Sequence, residues 1–207
     1  MSSGIMAAGM VPDQVVLQGR FVTLEPLAER HREELREAAG DGSAYWPYLP
    51  MKSGFDATME MNLAAQAKAE RLPYVVRLRA DGRVVGSTSY LNIAPRDRRL
   101  EIGSTWYHPS VWAGIVNPEC KRLLFAQAFD DWGANRVELR CDGRNARSRA
   151  AIARLGAVEE AVLRRHMYAP DGYLRDTVVF AVLREEWPKV RDGLDRRLAA
   201  AKEAKAA

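Results

Sequence analysis

The chain is poor in the residues from which metal and disulfide chemistry is built, with two cysteines and three histidines in 207 residues. Cys120 falls in a helix-like stretch and Cys141 in a strand-like one. That spacing suits neither a disulfide framework nor a zinc site, so both read as buried small hydrophobes. His31, His108 and His166 are scattered without paired spacing, which gives no basis for a metal site. No apolar run approaches a membrane span. The opening MSSGIMAAGMV also lacks the charged start and long apolar stretch of a secretory signal, so the expected setting is the cytoplasm. Internal repeats are absent too.

What is present is an ordinary globular composition, 47% apolar and 28% charged, at a length that suits one domain with a real core. The net charge of +4 is local. Pro188 to Ala207 and Arg140 to Arg165 carry all of the excess, and the remainder is negative. A phosphate ligand near Arg144, Arg147 and Arg149 accounts for one patch as well as nucleic acid does, and a solvated helix face accounts for the other.

The central stretch is VWAGIVNPECKRLLFAQAFDDW, residues 111–132, where a loop turns into an amphipathic helix. Asn117 suits an N-cap, Pro118 the first helical position, and Glu119 complements the dipole. Leu123, Leu124, Phe125, Ala128, Phe129 and Trp132 form one apolar face, and Gly133 is the expected stop. Free amides at such a start make the loop from Trp112 to Asn117 a candidate anion seat, although an ordinary hydrated helix start fits the same spacing.

Residues 1–15 read as a mobile leader, 16–187 as one domain and 188–207 as a basic helical tail, loosely docked. Val16 to Leu27 reads as a strand, followed by a charged helix to Ala39. The aromatic stretch with Tyr45, Trp46 and Tyr48 fits a loop that plugs the core edge or walls a substrate site. A helix spans Asp56 to Arg71. Tyr74–Leu78 and Arg83–Ile93 read as strands joined at Asp81-Gly82, a tight-turn dipeptide. Further strands are expected at Leu100–Tyr107, Arg136–Cys141, Ala161–Met167 and Thr177–Leu183, the last two linked through Pro170, Asp171 and Gly172, with a short helix at Asn145–Leu155. This order predicts an α+β fold, a mostly antiparallel sheet with helices on both faces. A parallel crossover should run from Leu100 to Cys141.

The strand EIG, the loop after it, NPE at a helix start, then RVELR, NARS, RLGA and RDTVVFAVLREEW resemble the GNAT superfamily of N-acetyltransferases. More narrowly, the chain is similar to the branch of the ribosomal-protein alanine and serine N-acetyltransferases, over roughly Leu17 to Trp187. The resemblance implies a twisted GNAT-like sheet whose central strand pair splays around acetyl-CoA, with pyrophosphate on the loop Trp112, Ala113, Gly114, Ile115, Val116, Asn117. The family's loop glycines are replaced here by Ile115 and Asn117, leaving only Gly114. The family's frequent tyrosine acid falls on Ile152.

The same resemblance implies an acetyl-CoA-dependent transfer to a primary amine, either a protein N-terminus or a small amine, by direct attack in a ternary complex without metal. It puts Glu101 forward as the base, and a structural strand acid paired to an arginine such as Arg99 is the competing reading. Backbone amides near Tyr107 and His108 would polarise the acetyl carbonyl, while Asn145, Arg147 and Ser148 approach the cofactor. Ser148 is the candidate for protonating the thiolate. Asn145 equally suits an N-cap, and His108 before Pro109 suits an acid, a base or a solvent-facing loop residue. A homodimer is admitted. A non-catalytic acyl-CoA-binding module and, with least support, a nucleic-acid-binding protein are the alternatives; a steep fall of affinity with salt would mark the second.

Overall fold

Tyr74, Val75 and Val76 are all fully buried, and successive strand residues face opposite ways, so the strand that carries them must be covered on both faces. The computed structural model, which describes residues 9–40, 54–169 and 172–206, shows how. Its strands are β1 (Leu17–Gln18), β2 (Val22–Pro26), β3 (Leu72–Leu78), β4 (Val84–Ala94), β5 (Arg99–Tyr107), β6 (Arg136–Asp142), β7 (Val158–Tyr168) and β8 (Leu174–Leu183). Its helices are α1 (Arg32–Ala39), α2 (Gly54–Ala67), α3 (Val116–Ala126), α4 (Ala146–Ala153) and α5 (Trp187–Ala206). The strands form one sheet in the order β1-β2-β3-β4-β5-β6-β8-β7, antiparallel throughout except for the parallel pair β5 and β6. Leu35, Ala38 and Met59 from α1 and α2 pack with Val75 on one face. Leu124 and Phe125 of α3, Ile152 of α4 and Val190 of α5 pack with Tyr74 and Val76 on the other.

The expected α+β sheet with helices on both faces is therefore present, with most element bounds shifted by a few residues. Val16–Leu27, expected as one strand, is instead the β1–β2 hairpin, because the chain reverses between Gly19 and Val22, where the Gly19 N–H donates to the Val22 carbonyl. Three further expectations change. Residues 9–15 are docked rather than mobile: Met10 is buried, its N–H donates to the Pro95 carbonyl, and Asp13 accepts from the Trp132 indole at 2.9 Å. The tail is anchored, because Trp187, Val190 and Leu194 enter the main core and the Trp187 ring stacks on Phe129. And Gly133 does end the central helix with a left-handed φ, but only after residues 127–131 have widened into a π-turn. Tyr45, Trp46, Tyr48, Pro170 and Asp171 lie outside the described residues.

Glu119 departs furthest from its expected role. Its carboxylate is buried and accepts the backbone N–H groups of Arg20, Phe21 and Val22, each at 2.7 Å, which pins the β1–β2 hairpin to the first turn of α3. Gly19 completes this seat, since a Cβ there would lie 2.5 Å from the Glu119 carboxyl carbon. His31 is likewise structural: it is buried, accepts the Ala28 N–H and meets Glu25 at 2.9 Å.

The sheet opens at its parallel pair. β5 and β6 are in register only from Arg99 opposite Arg136 to Glu101 opposite Glu138. Beyond that point β5 bends: its pairing with β4 shifts between Ser87 and Ser89, and Ser104 takes a left-handed φ of 47°, the signature of a bulge. The two strands part, and the gap becomes a cavity.

Candidate active site

The cavity has a volume of about 830 Å³ and runs from the start of α3 through the gap between β5 and β6 to the α2 side of the sheet. At one end lie Trp112, Ala113, Gly114 and Asn117, faced by Asn145, Arg147 and Ser148 around α4. At the other lie Arg71, Asn92 and Glu101 with apolar Met61 and Ala65.

The loop before α3 is built differently from expectation. The helix starts two residues earlier, at Val116, with Ile115 at the N-cap and no capping side chain. Asn117 is thus inside the first turn, where its Oδ1 accepts the Tyr107 hydroxyl at 3.2 Å. Ala113 takes a left-handed φ of 57°, which turns the chain sharply into the helix. The Trp112 amide donates to Pro109 O at 3.1 Å, and Gly114 to Val111 O at a long 3.4 Å. The amides of Ala113, Ile115, Val116 and Asn117 find no partner among the described residues, as helix-start geometry requires. The side chains of Ile115 and Val116 do not line the cavity, and Val116 is core. His108 also stands outside the lining. Its N–H is bound to Val85 O at 2.8 Å and its ring to Ser110, so it supplies no amide to an acetyl carbonyl.

The arginines separate. Arg144 holds Asp142 at 3.0 Å and Arg149 pairs with Glu159 at 2.7 Å. Arg147 lies over the Trp112 ring at 3.8 Å, with no carboxylate partner among the described residues, so its charge faces the mouth of the cavity. Asn145 is the N-cap of α4, accepting the Ser148 N–H at 3.0 Å, and Ser148 stands against the Cys141 thiol, which burial pushes up.

Glu101 is only 7% exposed and lines the cavity where the strands part. Its partner is not Arg99. Asn92 donates to it at 2.8 Å, and Arg140 lies 3.4 Å away while also holding Glu138 at 2.7 Å. Burial raises the Glu101 pKa, Arg140 and Asn92 pull against that, and the result is a carboxyl above its ordinary range. Across the sheet is a residue absent from the sequence reading. Lys121 is 4% exposed, and its Nζ donates to Thr105 Oγ1 at 2.9 Å in the cavity wall. A signal existed: Lys121 falls three residues before Leu124 and four before Phe125, on the core-facing stripe, where a lysine needs a reason.

A sheet that opens between two parallel strands onto a helix start, with a buried carboxyl at the far end of the gap, is the frame of an acyl-CoA-dependent acyltransferase. Residues 22–158 match the family of acetyltransferase (GNAT) domains, and the chain belongs to that family. It is 30% identical to a GCN5-related N-acetyltransferase from Brucella melitensis, with a TM-score of 0.81 over 91% of this chain and 88% of that one. Mycobacterium smegmatis RimJ, solved in complex with CoA-disulfide, is 25% identical, with a TM-score of 0.74 over 86% and 88% of the two chains. The Bacillus subtilis protein YdaF, named as a candidate ribosomal N-acetyltransferase, is 32% identical over 107 residues, 52% of this chain and 57% of YdaF. The match thus spans little more than half the length of that curated relative.

Proposed function

We propose that the chain moves an acetyl group from acetyl-CoA to a primary amine by direct attack in a ternary complex, and that the amine is a protein N-terminus. The observation that carries the chemistry is the buried Glu101 at the point where β5 and β6 separate. An amine must lose a proton before it can attack a thioester, and a carboxyl raised by burial is a stronger base than an ordinary carboxylate and better suited to take it. The free amides of Ala113, Ile115, Val116 and Asn117 seat the pyrophosphate, Arg147 meets the 3′-phosphate, and Asn145 and Ser148 border the arm of the cofactor. Tyr107 supports this seat by holding Asn117. The similarity to YdaF supports a protein acceptor. No helix among the described residues is long and apolar enough to cross a membrane. The direct test is an acceptor screen with acetyl-CoA, following free thiol over peptides, amino acids and polyamines. Release confined to peptides with a free N-terminus is expected. Release with polyamines alone would replace the acceptor class, and no release with any amine would return the chain to a CoA-binding module.

Two substitutions test the cofactor seat. Asn117→Asp keeps the acceptor for Tyr107 and puts a carboxylate in the first turn, which the helix dipole favours but a pyrophosphate does not. CoA affinity should fall roughly tenfold by calorimetry while the thermal midpoint holds or rises. Arg147→Gln should weaken CoA roughly tenfold but dephospho-CoA little, the loss expected of one charge-assisted contact. Equal losses for the two ligands would remove Arg147 from the 3′-phosphate.

A further inference from the structure

Lys121 lies in the core-facing stripe of α3 with almost no exposure, and among the described residues its Nζ has only hydroxyl partners: Thr105 Oγ1 on β5 at 2.9 Å and Thr88 Oγ1 on β4 at 3.4 Å. No carboxylate pairs with it among the described residues. Glu119, two residues earlier, is committed to the β1–β2 hairpin. Of the other titratable neighbours, Cys120 is pushed up by burial to about 12 and the Tyr107 phenol is pushed up as well, so both are neutral. Arg147 from α4 and Arg197 from α5 line the same cavity and share its sign. A buried ammonium without a counter-charge is held at a cost, and it points to an anion that arises in the cavity beside it. A thioester is neutral in the ground state. Negative charge appears on its sulfur when the acyl bond breaks.

Resting on the acetyl-transfer reading, we infer that Lys121 is the acid that protonates the CoA sulfur as the thiol leaves. The carbon–sulfur bond breaks with its electron pair passing to sulfur, and Lys121 Nζ gives that sulfur a proton. Of the two protons lost by the attacking ammonium, one reaches solvent through Glu101 and the other replaces the one Lys121 gave. Burial lowers Lys121 to about 8, so at pH 7 it is charged yet releases a proton readily to a thiolate. Ser148, also on the cavity wall, has a hydroxyl that can pass a proton on only by receiving another. Lys121 carries its own.

The test needs no acceptor. CoA itself is bound to the wild type, Lys121→Met and Lys121→Arg, and the ultraviolet absorbance of the thiolate is followed against pH beside the affinity for CoA. In the wild type the bound thiol should titrate about one unit or more below free CoA, as expected for an ammonium at contact distance. Lys121→Met should abolish the shift with affinity little changed, and Lys121→Arg should retain part of it. A thiol pKa equal in wild type and Lys121→Met overturns the inference while leaving the transfer reading intact. A lost affinity for CoA in Lys121→Met with an unshifted wild-type thiol overturns it too, by making Lys121 a phosphate ligand. Failure of the wild type to bind CoA removes both readings. Should Lys121→Met not fold, the comparison of bound with free CoA in the wild type decides alone.

Discussion

Glu101→Gln lowers turnover by roughly 10²-fold at neutral pH on the true acceptor, the loss expected when a general base is removed, while CoA affinity stays at the wild-type level. The side chain keeps its shape and an oxygen for the Asn92 amide, and it loses only basicity. In the wild type, activity should climb as pH rises through the raised Glu101 pKa, because the base form exists above it. The variant should lack that limb and recover partly at high pH, where more acceptor arrives already neutral. Stability provides the control. A carboxyl raised in the folded state favours folding below its unfolded pKa of 4.5, and that contribution is lost as pH rises through the folded value. Above the folded value the buried charge opposes folding, so there the glutamine variant should unfold no more easily than the wild type. Near-normal turnover by thiol release would leave Glu101 as a structural strand acid.

Glu119→Ala should be the most destabilising of the changes considered, by about 3 kcal/mol or more, since it leaves three buried or half-buried backbone N–H groups without an acceptor. Glu119→Gln should be nearly as severe. One amide oxygen cannot replace two carboxylate oxygens, and its NH₂ would face donors. Urea unfolding of both variants against the wild type measures the effect, and a loss below about 1 kcal/mol would show that the hairpin is held by its other contacts. Because Glu119 lies in the first turn of α3, two residues beyond Asn117, the β1–β2 hairpin would lose its hold on the cofactor end of the cavity. Weaker CoA binding should accompany the loss of stability.

Local pattern carried most of the fold. The spacing of Leu124, Phe125 and Ala128 marked α3, the Asp81-Gly82 dipeptide marked the β3–β4 turn, and Asn145 marked the start of α4 as its observed cap. These signals depend on a residue and its near neighbours, so they survive without knowledge of the rest of the chain. The resemblance to the GNAT superfamily, carried by EIG, NPE, RVELR and NARS, brought the family and the place of the cavity.

What the sequence could not say is which partner each polar side chain takes. Glu119 looked like a dipole partner because its value as an anchor comes from backbone amides nearly a hundred residues away. Arg144, Arg147 and Arg149 read as one patch until the turn of α4 sent two of them to carboxylates and left one over Trp112. Periodicity and turn residues act locally, so the sequence alone determined the elements and their order, and the class of chemistry came with the resemblance of its motifs to the GNAT superfamily. The resemblance implied that the two strands splay; tertiary structure alone decided that they part at Glu101, that Glu101 meets Arg140 rather than Arg99, and that Lys121 is sealed in the cavity wall. Those outcomes depend on a bulge, on burial and on contacts between distant strands, and none of these is encoded within one stretch of chain.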